Sequence, residues 1–272
     1  MANARWLYDL TIFLYAAGVL CYFNDFLQSN RRMKQIALGL LSIVWVLQTI
    51  FFVYQVMVKS YLPVVTFFET LVFYSWVLVT LSLIIHAVAR IDFLLFFTNV
   101  IGFGVLTLSM FFSEPATLQH SGVISDFIFI HVTIAIISYA LLAVSMIFSG
   151  MYLVNLHMLK QKKWTPLWQR LPSLEKLDAF SFKLNIFGVP LLLLSVILGS
   201  IWAQLIFSHG FWMDAKVCMS IIVLILYSVL LYQRVRNQWL GKVAAWINII
   251  AFVCLLLNFL LIDPYSQFHQ WS

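Results

Sequence analysis

The chain has 272 residues, 63% of them hydrophobic and only 10% charged, with a formal net charge of +6 and a mean hydropathy of +0.98. A soluble domain carries about 25% charged residues, so this composition excludes a soluble globular protein and defines an integral membrane protein. The positive charge is then first a topology signal, and no nucleic-acid partner is inferred from it.

Eight runs reach the roughly 20 apolar residues needed to cross the hydrocarbon core, at about 6–27, 35–57, 64–88, 93–112, 127–154, 182–207, 215–233 and 243–262. No Gly-rich or Ser-rich linker divides them. The sequence therefore predicts an all-α, polytopic protein with about eight transmembrane helices in a single transmembrane domain over 1–272.

Taken in order, the first span holds Asp9 and Asp25 near its two ends, and no small-residue cleavage site clearly follows it, so it reads as a span rather than a leader. The third carries Glu69 more deeply, placed to accept a hydrogen bond from a neighbouring helix or to hold Lys59. Gly102 and Gly104 in the fourth read as close helix packing. The fifth carries His131 close to its start. An ionisable group within a span is costly in lipid and normally faces the bundle interior. His131 shares a helical face with Ile134, Ala135 and Ser138, at spacings of three, four and seven. Those small residues suit the flat edge of a haem and equally suit close helix packing.

Residues 155–182, "NLHMLKQKKWTPLWQRLPSLEKLDAFSF", are basic and carry Trp164 and Trp168. They read as an interfacial segment over anionic lipid, and alternatively as a docking surface for a cytosolic protein. After the sixth span comes "SHGFWMDAKV" (208–217), a histidine, two aromatics, an acid and a lysine between two apolar runs. The chain ends "DPYSQFHQWS". Proline disfavours helical geometry in the residue before it, so Asp263-Pro264 ends the last helix. The aromatics around His269 read as an interfacial belt or as a tail folded back over an external pocket.

Arg31, Arg32, Lys34, Arg90, Lys160, Lys162, Lys163, Arg170, Lys176, Lys183, Arg234, Arg236 and Lys242 fall in one set of loops, and only Arg5, Lys59 and Lys216 in the other. The positive-inside rule then puts both termini outside. His86 and His157 lie on the cytoplasmic side, and His120, His131, His209 and His269 gather at the external face. Cys21, Cys218 and Cys254 lie in apolar runs with no CxxC or CxxCH. They read as buried small hydrophobes, with no disulfide and no covalent haem. The chain has no HExxH, nucleophile elbow or phosphate loop, and a non-enzyme is expected.

The stretch "LDAFSFKLNIFGVPLLLLSVILGSIWAQLIFSHGFWMDAKV" resembles the haem-handling core of the cytochrome c assembly proteins of the CcsA and CcmC type. There a GxIWA stretch leads into a tryptophan-rich loop of the form WGxYWxWDPKE. Gly199, Trp202, Ala203, Asp214 and Lys216 match. Phe207 and Phe211 replace two tryptophans, Met213 replaces a third and Ala215 the proline, while Trp212 sits one place beyond the second tryptophan position. "LPVVTFFETLVFYSW" resembles the family's proline, glutamate and aromatic segment. "FIHVTIAIISYALLA" resembles its HV…YA helix, and "FHQWS" falls where its second external histidine is sought. The resemblance runs over about 60–272.

The resemblance implies non-covalent haem b at the external face, with His131 and His269 as axial ligands of the iron and Phe207, Phe211, Trp212 and Asp214 around the macrocycle. Tyr232 stands where such proteins can carry a histidine for a second, internal haem, which weakens the case for a transmembrane haem relay. Length, spans and the altered loop are most similar to the HemX branch, associated with negative control of glutamyl-tRNA reductase in haem synthesis. That implies a multi-pass protein of the bacterial plasma membrane. Haem delivery in cytochrome c maturation is the alternative, and transport through Asp9, Asp25 and Glu69 ranks third.

The topology is directly checkable. Cysteine labelling or reporter fusion at Lys162 and at Gln270 should report opposite sides of the membrane. The same side for both would overturn the eight-span arrangement.

Overall fold

The computed structural model describes residues 2–28, 30–59, 63–64, 66–89, 91–112, 123–162, 171–206, 214–236, 239 and 241–261. Among them every regular element is helical: α1 (Ala2–Gln28), α2 (Arg31–Lys59), α3 (Phe67–Ala89), α4 (Asp92–Ser109), α5 (Val123–Lys160), α6 (Leu174–Ile206), α7 (Ala215–Val235) and α8 (Lys242–Leu261). Seven are long and apolar enough to cross a membrane, and the apolar helix Phe93–Ser109 is shorter. The chain is thus a polytopic helical membrane protein.

The expected eight runs correspond one to one with these helices, but several boundaries move. The fourth run was expected to reach 112, whereas α4 stops at Ser109 and the amides of Met110, Phe111 and Phe112 bond three residues back, to Thr107, Leu108 and Ser109. That tighter winding ends the helix. At 1.5 Å per residue its 18 residues span about 27 Å. Both ends of the basic segment 155–182 are helical, over 155–160 and 174–182. α5 continues to Lys160 and α6 already starts at Leu174, with Ser173 accepting the Leu177 amide at 3.0 Å. Hydropathy misses both extensions because Lys160, Glu175, Lys176 and Asp178 interrupt the apolar pattern while a helical backbone tolerates them. Trp164 and Trp168 lie outside the described residues.

The sequence carries no linker to mark it, yet the contacts group the chain into two compact units, Met1–Gln119 and His120–Ser272. In the first, α1 packs on α2 and α4, and α3 on α2 and α4. Tyr15, Tyr22, Leu41, Val44, Val79, Leu95 and Leu106 are at its centre. Several of its interior polar groups are paired between helices. The Tyr15 hydroxyl donates to Asn99 Oδ1 (2.9 Å) and Asn99 Nδ2 to Ser82 Oγ (3.1 Å). Trp45 Nε1 donates to Thr80 Oγ1 and Trp76 Nε1 to Thr49 Oγ1. Gly102 faces Tyr15, so a side chain there would strike its hydroxyl oxygen, as close packing requires; Gly104 faces open space.

In the second unit α5 packs along α6 and also on α8, and α7 on α6 and α8. Asn248 of α8 is a hub between α5 and α6. Its Nδ2 donates to Ser145 Oγ (2.9 Å) and Ser149 Oγ (2.8 Å), and its Oδ1 accepts from Asn185 Nδ2 (3.1 Å). Ser181 joins the cluster through both serines. Arg234 of α7 pairs with Asp178 of α6 and lies over the Phe182 ring, 5.2 Å from its centroid. All four helices are therefore joined. A cavity of about 20 Å³ lies among these groups, room for one water near Asn185 Oδ1, which has no hydrogen-bond partner among the described residues. The three cysteines are half-buried.

Asn248→Leu should strip a donor from the hydroxyls of Ser145, Ser149 and Ser181 and cost about 2 kcal/mol, whereas Ser149→Ala should cost about 0.6 kcal/mol, the average of an interhelical hydrogen bond in a membrane. Thermal unfolding of the detergent-purified variants checks this. An Asn248→Leu protein as stable as wild type would remove the hub role.

Candidate functional site

His131 lies on α5, the element whose continuous helix fixes its position, and is half-buried against α6. Its Nδ1 is 2.7 Å from the Ser195 carbonyl oxygen. A carbonyl can only accept, so Nδ1 carries the proton and donates. In the neutral ring Nε2 is then left with its lone pair, and no hydrogen bond to Nε2 is found among the described residues. The Ser195 hydroxyl adds a contact of 3.2 Å to Nδ1. Across from the ring is Gly199. A Cβ built there would be 2.6 Å from Cε1, 2.9 Å from Nδ1 and 3.2 Å from Nε2 of His131. The imidazole thus occupies the space a side chain at 199 would need.

This arrangement fits an axial haem ligand. A metal-bound histidine nearly always donates its other ring N–H to a carbonyl or carboxylate, which fixes tautomer and ring plane. Among the described residues no group of three His, Cys, Asp or Glu could hold a metal ion. A metal at His131 would take most of its ligands from elsewhere, as haem iron takes four from its macrocycle.

The other predicted site residues divide in two. His269, Phe207, Phe211 and Trp212 lie outside the described residues, as do His120 and His209. Asp214 is described, and it is the N-cap of α7: extended, at φ −65° and ψ 134°, its Oδ1 accepts the Lys216 amide at 2.9 Å. A carboxylate there satisfies an orphan amide and complements the positive helix end. The sequence signal, an aspartate directly before an apolar helix, was available and was read only as part of the haem loop. His157 bonds Gln161 at 2.7 Å and lies 26 residues from His131 on the same helix, about 39 Å away. Tyr232 is exposed on α7 and its hydroxyl accepts from Arg236 Nη1 at 2.8 Å.

Glu69 does hold Lys59: Nζ to Oε1 is 2.7 Å, with side chains 6% and 2% exposed. Its other oxygen accepts the Thr66 amide (3.1 Å) while the Thr66 hydroxyl accepts the Glu69 amide (3.2 Å). This is a capping box, legible in "TFFE" but missed as one. Asp25, near the end of α1, is buried at 5% exposure.

The fold and site define a multi-span helical membrane protein with one histidine wedged, lone pair free, between two of its helices. The sequence profile of the family described as "Cytochrome C assembly protein" matches residues 64–269. The chain is 52% identical to "Protein HemX" of Brevibacillus brevis over 272 residues, the whole of both chains. It is 46% identical to "Protein HemX" of Bacillus subtilis (strain 168) over 264 residues, 96% of each. It is 25% identical to "Cytochrome c biogenesis protein CcsA" of Chlamydomonas reinhardtii over 207 residues, 72% of this chain and 56% of that one. The chain belongs to the cytochrome c assembly protein family.

Glu69→Gln keeps an acceptor for the cap but leaves the Lys59 charge buried, and should cost about 3 kcal/mol. Adding Lys59→Met should recover part of that loss. Unfolding of the single and double variants measures it, and purely additive losses would mean the pair is not coupled.

Proposed function

We propose that this chain is a haem-binding membrane protein that lowers haem synthesis by acting on the level of glutamyl-tRNA reductase. The observation that carries the haem half is the His131 hydrogen bond to the Ser195 carbonyl, which leaves Nε2 as the ring's only lone-pair donor. His269 on the C-terminal tail is the proposed second axial ligand, with Phe207, Phe211 and Trp212 packing on the macrocycle. The absence of CxxCH from the sequence supports non-covalent haem b. Bound haem supplies redox and ligand-binding chemistry; His131 supplies a neutral nitrogen held in one orientation.

The regulatory half rests on likeness to the HemX branch. It is supported by exposed cations where α5 and α7 end and α6 and α8 begin: Lys160, Lys162, Lys176, Lys183, Arg236 and Lys242. With the proposed topology, both termini outside the bacterial plasma membrane, this end faces the cytoplasm and offers the reductase a basic surface. The second reading, haem delivery in cytochrome c maturation, is favoured by the CcsA relatives, whose name is "Cytochrome c biogenesis protein".

The test is the visible spectrum of detergent-purified protein together with reductase abundance in cells. Wild type should carry low-spin, bis-histidine haem. His131→Ala should lose stable haem. His269→Ala should keep a weakened, partly high-spin haem, because a tail ligand is held less firmly than one on a helix. Cells lacking the protein should contain more reductase. No Soret band after haem is supplied sinks the haem half, and unchanged reductase sinks the regulatory half in favour of delivery.

A further inference from the structure

The way α5 and α6 meet is periodic. His131 Nδ1 donates to Ser195 O at 2.7 Å, Ser138 Oγ to Gly188 O at 2.8 Å, and Ser145 Oγ to Ser181 O at 2.9 Å. The donors are spaced by seven on α5 and the acceptors by seven on α6, running in opposite directions. A second periodic contact runs beside this ladder. α6 has two glycines at the seam, and each receives one α5 side chain. A Cβ at Gly188 would be 2.9 Å from Leu142 Cδ2, and a Cβ at Gly199 would be 2.6 Å from His131 Cε1. Leu142 and His131 are eleven apart, and so are their glycines. His131 is the one residue that takes part in both patterns: its Nδ1 is a rung and its ring fills a glycine recess.

A rung alone would leave the imidazole free to swing about its bond to Cβ. A recess alone would leave the choice of tautomer open. Together they fix both, since the carbonyl of Ser195 selects Nδ1–H and the bare Cα of Gly199 admits the ring edge in one plane. Alanine would put a carbon within 3 Å of two ring atoms, closer than real contacts allow, and the ring is too rigid to bend away. It would have to leave the Ser195 carbonyl.

We propose that Gly199 is a positioning residue for His131, and that its lack of a side chain is what lets the histidine present Nε2 to haem iron. The proposal rests on the reading of His131 as an axial ligand. It adds a reason for the glycine of "GSIWA": it is a recess for the ligand rather than a site of helix flexibility.

The experiment uses full-length protein in detergent and has two arms. The first needs no haem. Thermal unfolding is compared for wild type, Gly199→Ala, His131→Ala and the double variant, with Gly150→Ala as the control, since a Cβ at Gly150 meets nothing within 4 Å. Gly199→Ala should lower the midpoint by several degrees when His131 is present and leave it unchanged when residue 131 is alanine; Gly150→Ala should not lower it. If Gly199→Ala does not fold at all, folding of the double variant gives the same support. An equal loss with and without His131 overturns the proposal.

The second arm reads the haem spectrum. Gly199→Ala should lose at least about nine-tenths of the low-spin signal, a tenfold change, and added imidazole should restore it. Generally weakened folding would not be rescued this way. An unchanged low-spin spectrum in Gly199→Ala overturns the proposal. Wild type that takes up no haem, with coupling intact in the first arm, overturns the haem reading while the His131–Gly199 contact stands.

Discussion

Three side chains of α5 donate into three carbonyls of α6, and the geometry around His131 in the second unit depends on that register. A helical carbonyl that already accepts its own amide keeps a second lone pair. The rungs therefore satisfy polar side chains in an apolar setting without breaking a backbone bond. Each is worth only about 0.6 kcal/mol on the membrane average. Their common spacing gives them their effect, because a slip of one residue would break all three together. Gly188 and Gly199 add a steric check, since a shifted register would drive Leu142 and His131 against positions that carry side chains.

In the first unit several interior polar groups pair side chain to side chain, Tyr15 with Asn99, Asn99 with Ser82, Trp45 with Thr80 and Trp76 with Thr49, beside one bond from the Tyr8 hydroxyl to the Leu106 carbonyl. The ion pair Lys59–Glu69 is almost fully buried. Two charges taken out of water are tolerated there because Glu69 also caps α3, so its second oxygen is used as well. Such pairings need particular partners on both helices. The rungs of the second unit need a particular residue on one helix only, because every residue of the other supplies a carbonyl.

That difference decides what could be read from the sequence. Spans were legible because about 20 apolar residues leave few alternatives. The α5 face carrying His131, Ala135 and Ser138 was legible from helical spacing. Its partner was not, because a backbone carbonyl has no sequence signature and the acceptors Ser195 and Gly188 are identified only once the register is known. The ends of α5 and α6 were hidden by charged residues that hydropathy rejects and helices accept. Two caps are written plainly in the sequence, Thr66 with Glu69 and Asp214 before α7. The tail with His269 and the loop with Phe207, Phe211 and Trp212 lie outside the described residues.

The matched motif can be taken apart on these grounds. Asp214 is accounted for by the orphan amide of Lys216, which any chain starting a helix there would need to satisfy. Ala203 is 3% exposed, where a larger side chain would meet neighbouring atoms. Gly199 is accounted for by the imidazole that lies on it. Each of these has a local reason that refers only to the protein. His131 is the exception. Hydrogen bonding and packing explain where its ring sits and which nitrogen holds the proton, but not why a costly ionisable group is there at all. A serine at 131 would complete the ladder as Ser138 and Ser145 do, and alanine would leave Gly199 unnecessary. What a histidine adds over either is the lone pair on Nε2, so a ligand for that nitrogen is the part of the arrangement that the protein's own contacts leave unexplained.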